Sequence, residues 1–172
     1  DVTILQRDTF VIFSTENKAA AEFFGDIPQA ISVSPELHQL YASGKAKDWQ
    51  TVNGHTYYFD ASGFPGGNWG RGGWQEIEGY WYYFDPDTYI LQTGFQRING
   101  KAYYLGTTGA REYDKWKLIN GDWYYLNSYG AGVVKIWLKS GGKWYFMQAD
   151  GSMAKSRWVE WYHKWYYVGS DG

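Results

Sequence analysis

From Lys47 onward apolar and polar positions alternate in short paired runs, and each pair is joined by two turn-forming residues. Trp116-Lys117-Leu118-Ile119 leads into Asn120-Gly121 and then into Asp122-Trp123-Tyr124-Tyr125-Leu126. Asn-Gly between apolar runs is a strong hairpin signal, because a type I′ turn needs two residues that tolerate positive φ. The same pair recurs at Asn53-Gly54 and Asn99-Gly100, with Glu78-Gly79 and Gly141-Gly142 as acceptable substitutes. Tyr162-His163 is a poor pair for such a turn, so the last hairpin is expected to have a longer or distorted one.

The pattern repeats. Each copy opens with a large aromatic residue, at Trp49, Trp74, Phe95, Trp116, Trp137 and Trp158, in steps of 25, 21, 21, 21 and 21. Seven residues later an aromatic cluster begins, at Thr56, Trp81, Ala102, Trp123, Trp144 and Trp165. A period this short marks an array whose units cannot bury their own apolar face and stack on their neighbours. The predicted fold is therefore mainly β, a solenoid of about six stacked β-hairpins of ~21 residues spanning residues 45–172. After most hairpins a second Gly falls at the next bend, at Gly63, Gly109, Gly130, Gly151 and Gly172; Thr88 stands there in the second copy. The longer first step, with Pro65-Gly66-Gly67, marks the least regular stretch.

Residues 1–44 are patterned differently. Val2–Leu5 and Thr9–Phe13 are apolar runs flanking a polar turn and predict two short strands. A short helix is expected over Asn17–Phe24, ended by Gly25. A better-marked helix follows Ser34, with Pro35 at its first position, Glu36 in its first turn and Gly44 past its end. This small α/β segment is too short for an independent enzyme domain and is expected to be an accessory or the tail of an upstream domain. The opening at Asp1 without Met suggests a fragment or mature form.

Hairpin parity turns the repeat into chemistry. With Asn120-Gly121 as the loop, Leu118 faces Trp123 and Trp116 faces Tyr125, so Trp116, Leu118, Trp123 and Tyr125 share one face. Tyr124 lies on the other face, and its equivalents Tyr57, Tyr82, Tyr103, Tyr145 and Tyr166 are placed to reach the preceding hairpin. Two cofacial indoles and a tyrosine from the next copy would make a three-walled aromatic cage, a geometry suited to a quaternary ammonium. Each contact contributes about 0.5–2 kcal/mol, so one cage binds weakly and several in series gain avidity for a polymer.

Composition narrows the alternatives. Aromatic residues make up 22% of the 172, with 11 Trp and 17 Tyr, while the mean hydropathy is −0.54, so apolar area arrives on side chains with polar tips. A net charge of −2 disfavours nucleic acid, which needs a basic face. With no Cys, disulfides and thiolate metal sites are excluded. No apolar run is long enough to span a membrane. His38, His55 and His163 are scattered and form no metal or triad motif. Asp85-Pro86-Asp87 is better explained as an acidic turn than as a calcium site. Glu16, Glu22 and Glu36 lack a recognisable acid/base partner. No catalytic residue, metal or cofactor is implied.

The runs Gly73-Trp74 through Gly79-Tyr80-Trp81-Tyr82-Tyr83-Phe84-Asp85, and Trp116 through Asn120-Gly121-Asp122-Trp123-Tyr124-Tyr125-Leu126-Asn127, resemble the cell-wall-binding repeat of choline-binding proteins from pneumococci, related bacteria and their phages. Related repeats occur in glucan-binding regions of streptococcal glucosyltransferases and in clostridial toxin receptor domains. The resemblance implies a superhelical stack of hairpins that binds choline of teichoic or lipoteichoic acid between adjacent repeats. It further implies a non-catalytic, extracellular, cell-wall-associated module of a surface protein or phage lysin. Carried over residue by residue, it implies cages at Trp74, Trp81 and Tyr103, at Trp116, Trp123 and Tyr145, and at Trp137, Trp144 and Tyr166. Phe95 with Ala102, and Trp49 with Thr56, lack a wall and are expected to be empty or structural. Trp158 and Trp165 form a pair without a following copy. The Gly that precedes the opening Trp in the family is kept only as Gly73 and Gly94. An α-glucan ligand, or a role as the binding part of a murein hydrolase, is the alternative, and a homodimer is an assembly the sequence allows.

Overall fold

The structure, a computed structural model, describes residues 2–7, 9–14, 34–61 and 72–172. Its elements run β1 (Val2–Arg7), β2 (Thr9–Ser14), α1 (Pro35–Ala42), β3 (Asp48–Val52), β4 (His55–Phe59), β5 (Gly73–Ile77), β6 (Tyr80–Phe84), β7 (Gly94–Ile98), β8 (Lys101–Leu105), β9 (Lys115–Ile119), β10 (Asp122–Leu126), β11 (Ile136–Ser140), β12 (Lys143–Met147), β13 (Arg157–Trp161) and β14 (Lys164–Val168). Each strand pairs antiparallel with its sequence neighbour. The fold is mainly β, built of repeated hairpins as the periodicity predicts. The chain forms two compact units, Asp1–Gln92 and Thr93–Gly172.

The register of β9 and β10 sets Trp123 opposite Leu118 and Tyr125 opposite Trp116, as parity requires. The other five repeat hairpins keep the same offsets. Both turn residues have positive φ, as at Asn120 (51°) and Gly121 (89°). The last hairpin corrects the expectation of a longer turn. Trp161 pairs with Lys164, and Tyr162 and His163 take φ of 49° and 60° themselves. Strand pairing on both sides holds these two residues in a conformation that ordinarily costs about 1–2 kcal/mol each.

A single repeat position supplies most of the largest fully buried side chains. The last residue of each second strand, Phe59, Phe84, Leu105, Leu126, Met147 and Val168, is buried. Around it the chain makes a bend and returns, bridging Leu126 to Gly132 and Met147 to Met153. In the bend after β10, Asn127 Oδ1 accepts from the N–H groups of Tyr129 and Ala131. Gly130 (φ 68°) completes it, where an added Cβ would lie 2.7 Å from both Arg111 Cδ and the Glu112 carbonyl. The returning strand segment then reaches the previous repeat. The N–H groups of Gly132 and Met153 donate to the carbonyls of Ala102 (2.8 Å) and Trp123 (2.7 Å).

Within the first unit, α1 begins as the sequence predicts, with Ser34 Oγ accepting from the Leu37 N–H at 3.3 Å. Its Leu37 packs in one cluster with Ala46, Tyr57 and Phe59, so the helix covers the first repeat hairpin. The two predicted N-terminal strands are present as the β1–β2 hairpin. The expected helix over residues 17–24, Gly63 and the Pro65-Gly66-Gly67 stretch lie outside the described residues.

Candidate functional site

Alternation along the strands makes each slot between repeats from two unlike faces. The earlier hairpin presents its opening aromatic and the first residue of its cluster; the later one presents the middle tyrosine. Within the second unit, Trp116 lies 5.1 Å from Tyr145 and Trp137 lies 5.4 Å from Tyr166, both edge to face.

The slot behind Trp116 brings its three expected residues onto one cavity. Trp116, Trp123, Tyr145, Met153 and Asp171 line a cavity of about 270 Å³. The two indoles are perpendicular, with centroids 6.4 Å apart at 86°, which corrects the cofacial expectation. Trp116 is held edge-on by Tyr125 across the hairpin at 5.4 Å and by Tyr145, an arrangement the ring quadrupoles favour. Its indole N–H donates to Ser140 Oγ at 3.1 Å. Perpendicular walls suit a roughly spherical guest better than parallel ones, since they close a corner around it. Met153 supplies an apolar base because the same residue's N–H is bound to the Trp123 carbonyl. At the rim, Asp171 Oδ2 accepts from Lys143 Nζ at 2.9 Å, and this bond holds the Asp171 carboxyl below its ordinary range and the Lys143 ammonium above its own.

The slot behind Trp137 is wider. Trp137, Trp144, Trp161, Trp165, Tyr166, Tyr167, Val168 and Gly172 line a cavity of about 780 Å³. Trp161 occupies the position that is Ile119 and Ser140 in the two preceding repeats, and it packs on Phe146 at 5.7 Å. Lys139 Nζ stands 5.8 Å over the Trp144 ring.

The Phe95 slot is filled by the protein itself. Ala102 is 2% exposed and packs with Ile119 and Tyr124, while Phe95 meets Tyr124 at 5.3 Å. Gly132 approaches so closely that a Cβ there would lie 3.2 Å from Ala102 Cβ. Burial raises the pKa of the Tyr124 hydroxyl. The neighbouring ring faces carry resident cations: Arg97 lies 5.5 Å over Phe95, and Lys117, paired with Glu112 at 3.0 Å, lies 3.8 Å over Tyr104. In the first unit Trp49 sits 4.9 Å from Tyr82, and the Leu91 N–H donates to the Thr56 carbonyl at 2.8 Å.

The third sequence-derived trio is divided between the units. Trp74, edge-on to Tyr83 at 5.2 Å, and Trp81 on β6 belong to the first; Tyr103 on β8 belongs to the second. Sequence reasoning missed Met153, Ser140, Asp171 and Trp161. Ser140 was legible in principle, since it lies at a fixed offset within its repeat, at the end of β11. Among the described residues no cluster of His, Asp and Glu is arranged to hold a metal. Asp85 instead ties its own turn, Oδ1 accepting from Thr88 N–H at 2.8 Å, Thr88 Oγ1 at 2.9 Å and Asp87 N–H at 3.1 Å. No described helix is long and apolar enough to cross a membrane.

The model of the cell wall binding repeat of the choline-binding family matches residues 47–63, 72–87, 93–110, 114–131 and 136–153. The hairpin of β13 and β14 extends the same register one copy further. Among solved structures, choline binding protein F from Streptococcus pneumoniae is similar at 37% identity and a TM-score of 0.59, covering 76% of this chain and 41% of that one. The same protein family is represented by CbpF in complex with ipratropium, at 37% identity, a TM-score of 0.59, and 76% and 39% coverage. A multimodular pneumococcal cell wall endolysin from phage Cp-1, complexed with choline, matches at 30% identity with a TM-score of 0.50, covering 74% of this chain and 36% of that one. The chain thus spans less than half the length of these relatives. Among curated proteins none matches. With five repeats matched and the hairpin register continuous through them, the chain belongs to the family of choline-binding, cell-wall-binding repeat proteins.

Proposed function

We propose that residues 45–172 are a non-catalytic attachment module that holds choline residues of teichoic or lipoteichoic acid in aromatic cages between adjacent hairpins, with residues 1–44 as an accessory segment. The observation that carries this reading is the convergence of Trp116, Trp123, Tyr145 and Met153 on one cavity of about 270 Å³. Its walls offer ring faces and a thioether, which attract a trimethylammonium group and leave it no hydrogen bond to satisfy. Trp137, Trp144 and Tyr166 form a second cage within the same unit. With contacts of about 0.5–2 kcal/mol apiece, the module depends on several cages engaging one polymer. Such a module works outside the cell, on a bacterial surface or as the targeting part of a phage lysin. The choline held by the similar phage endolysin supports the choice of ligand.

Titration of choline against intrinsic Trp fluorescence tests the proposal. A saturable change is expected, and Trp116→Ala with Trp123→Ala removes one site while the far-ultraviolet spectrum is kept. A flat titration to tens of millimolar rules it out. The broad cavity behind Trp137 favours a second reading, in which sugar rings stack on its indoles; saturation by an α-glucan oligosaccharide but not by choline would select it.

A further inference from the structure

We propose that the Asp171–Lys143 pair at the rim of the Trp116 cage makes this site selective for a zwitterion, a quaternary ammonium whose short arm carries a phosphodiester, over a lone ammonium. The inference rests on the choline reading of the cage and adds charged specificity residues to it. Three observations support it. Asp171 lines the same cavity as Trp116, Trp123, Tyr145 and Met153, whose surfaces are otherwise aromatic or thioether. Lys143 and Tyr145 are two apart on β12 and therefore share a face, so the lysine stands beside a cage wall. The ammonium of Lys143 and the carboxylate of Asp171 are 2.9 Å apart, with side chains 65% and 70% exposed.

An ion pair so exposed is screened by solvent and contributes little to stability, so a ligand can rearrange it at little cost. A cation entering the cage gains the Asp171 carboxylate but competes with Lys143 for it. When the ligand brings its own anion, Lys143 can turn to the phosphate while Asp171 faces the ammonium, and neither protein charge is left without a partner. In the preceding repeat Asp150 holds the position of Asp171. Its carboxylate is already engaged by the Ser152 N–H (3.0 Å) and Oγ (2.7 Å), beside the slot that Ala102 and Gly132 fill. The charged rim is thus available where the cage is open. Among the side chains that line the Trp137 cavity there is no carboxylate.

The test compares choline with glycerophosphocholine by isothermal titration in a Trp81→Ala, Trp144→Ala background that leaves the Trp116 cage. Glycerophosphocholine is expected to bind about threefold tighter, the factor an exposed ion pair can supply. Lys143→Met should erase that preference while choline binds no more weakly, and Asp171→Asn should weaken both ligands. Equal affinities in the parent, or a preference untouched by Lys143→Met, overturns the inference and leaves the choline cage standing. If neither ligand saturates, the choline reading falls with it. Should the background fail to fold, the ratio measured in the otherwise unaltered chain, with and without Lys143→Met, decides the question by the same criteria.

Discussion

The indole N–H of Trp116 donates to Ser140 Oγ at 3.1 Å, joining the opening residue of one repeat to the strand end of the next. This bond fixes the ring's rotation against Tyr145, and the perpendicular stance to Trp123 depends on it. Ser140→Ala should leave the fold intact, since the hydroxyl is half-buried and its loss creates only a small void. Choline affinity at this cage should drop by about threefold to tenfold, the equivalent of one hydrogen bond of ~1 kcal/mol that orders a wall. Titration in the background that isolates the Trp116 cage measures it.

The filled slot makes an opposite prediction. Restoring the repeat's tryptophan by Ala102→Trp should not create a binding site. Ala102 is packed between Ile119, Tyr124 and the close approach of Gly132, so the larger ring overpacks the interface. A loss of about 1–3 kcal/mol is expected, read as a lower denaturation midpoint, with the choline stoichiometry unchanged.

Asp85 gives a pH dependence with a definite sign. Hydrogen bonds, that from the Thr88 N–H foremost, hold its carboxyl below the ordinary value of 3.8. A carboxyl depressed in the folded state stabilises fully above its unfolded value and loses that contribution as pH falls through the folded one. Asp85→Ala should therefore destabilise the first unit by about 1 kcal/mol near neutrality. The gap between parent and variant should narrow below pH 3.8, as followed by amide exchange at Thr88.

The last hairpin carries removable strain. Tyr162 and His163 occupy left-handed backbone conformations with exposed side chains, so their identities contribute little packing. Tyr162→Asn with His163→Gly should raise the unfolding midpoint, by up to about 1 kcal/mol for each position relieved. An unchanged midpoint would mean that Tyr162, edge-on to Trp161 at 5.0 Å, offsets the strain by packing.

These cases show where the sequence was informative. Strand positions, register and faces were legible because alternation and Asn-Gly turns encode them locally, and every repeat hairpin obeys them. The turn at Tyr162-His163 ran against local preference; there the paired strands, set by Trp158, Val159, Tyr166 and Tyr167, impose the backbone on residues that would not choose it. Ring orientation was not legible, because the angle between Trp116 and Trp123 is decided by Tyr125, Tyr145 and Ser140 together. Met153 and Asp171 escaped notice for a similar reason. They lie 30 and 48 positions beyond Trp123, outside any single-repeat pattern, and reach the cage only because the chain doubles back.

That doubling back has a consequence for how such an array changes. The hydrogen bond from the Met153 N–H to the Trp123 carbonyl means that a cage takes two walls from one copy and its tyrosine and base from the next. The heritable piece is the copy, whereas the cavity forms at the junction between copies. Deleting one 21-residue copy inside the array would remove two native junctions and splice a hybrid one in their place. Wall chemistry can therefore be reshuffled without altering any hairpin, and a protein assembled this way can drift in ligand preference while its backbone stays the same.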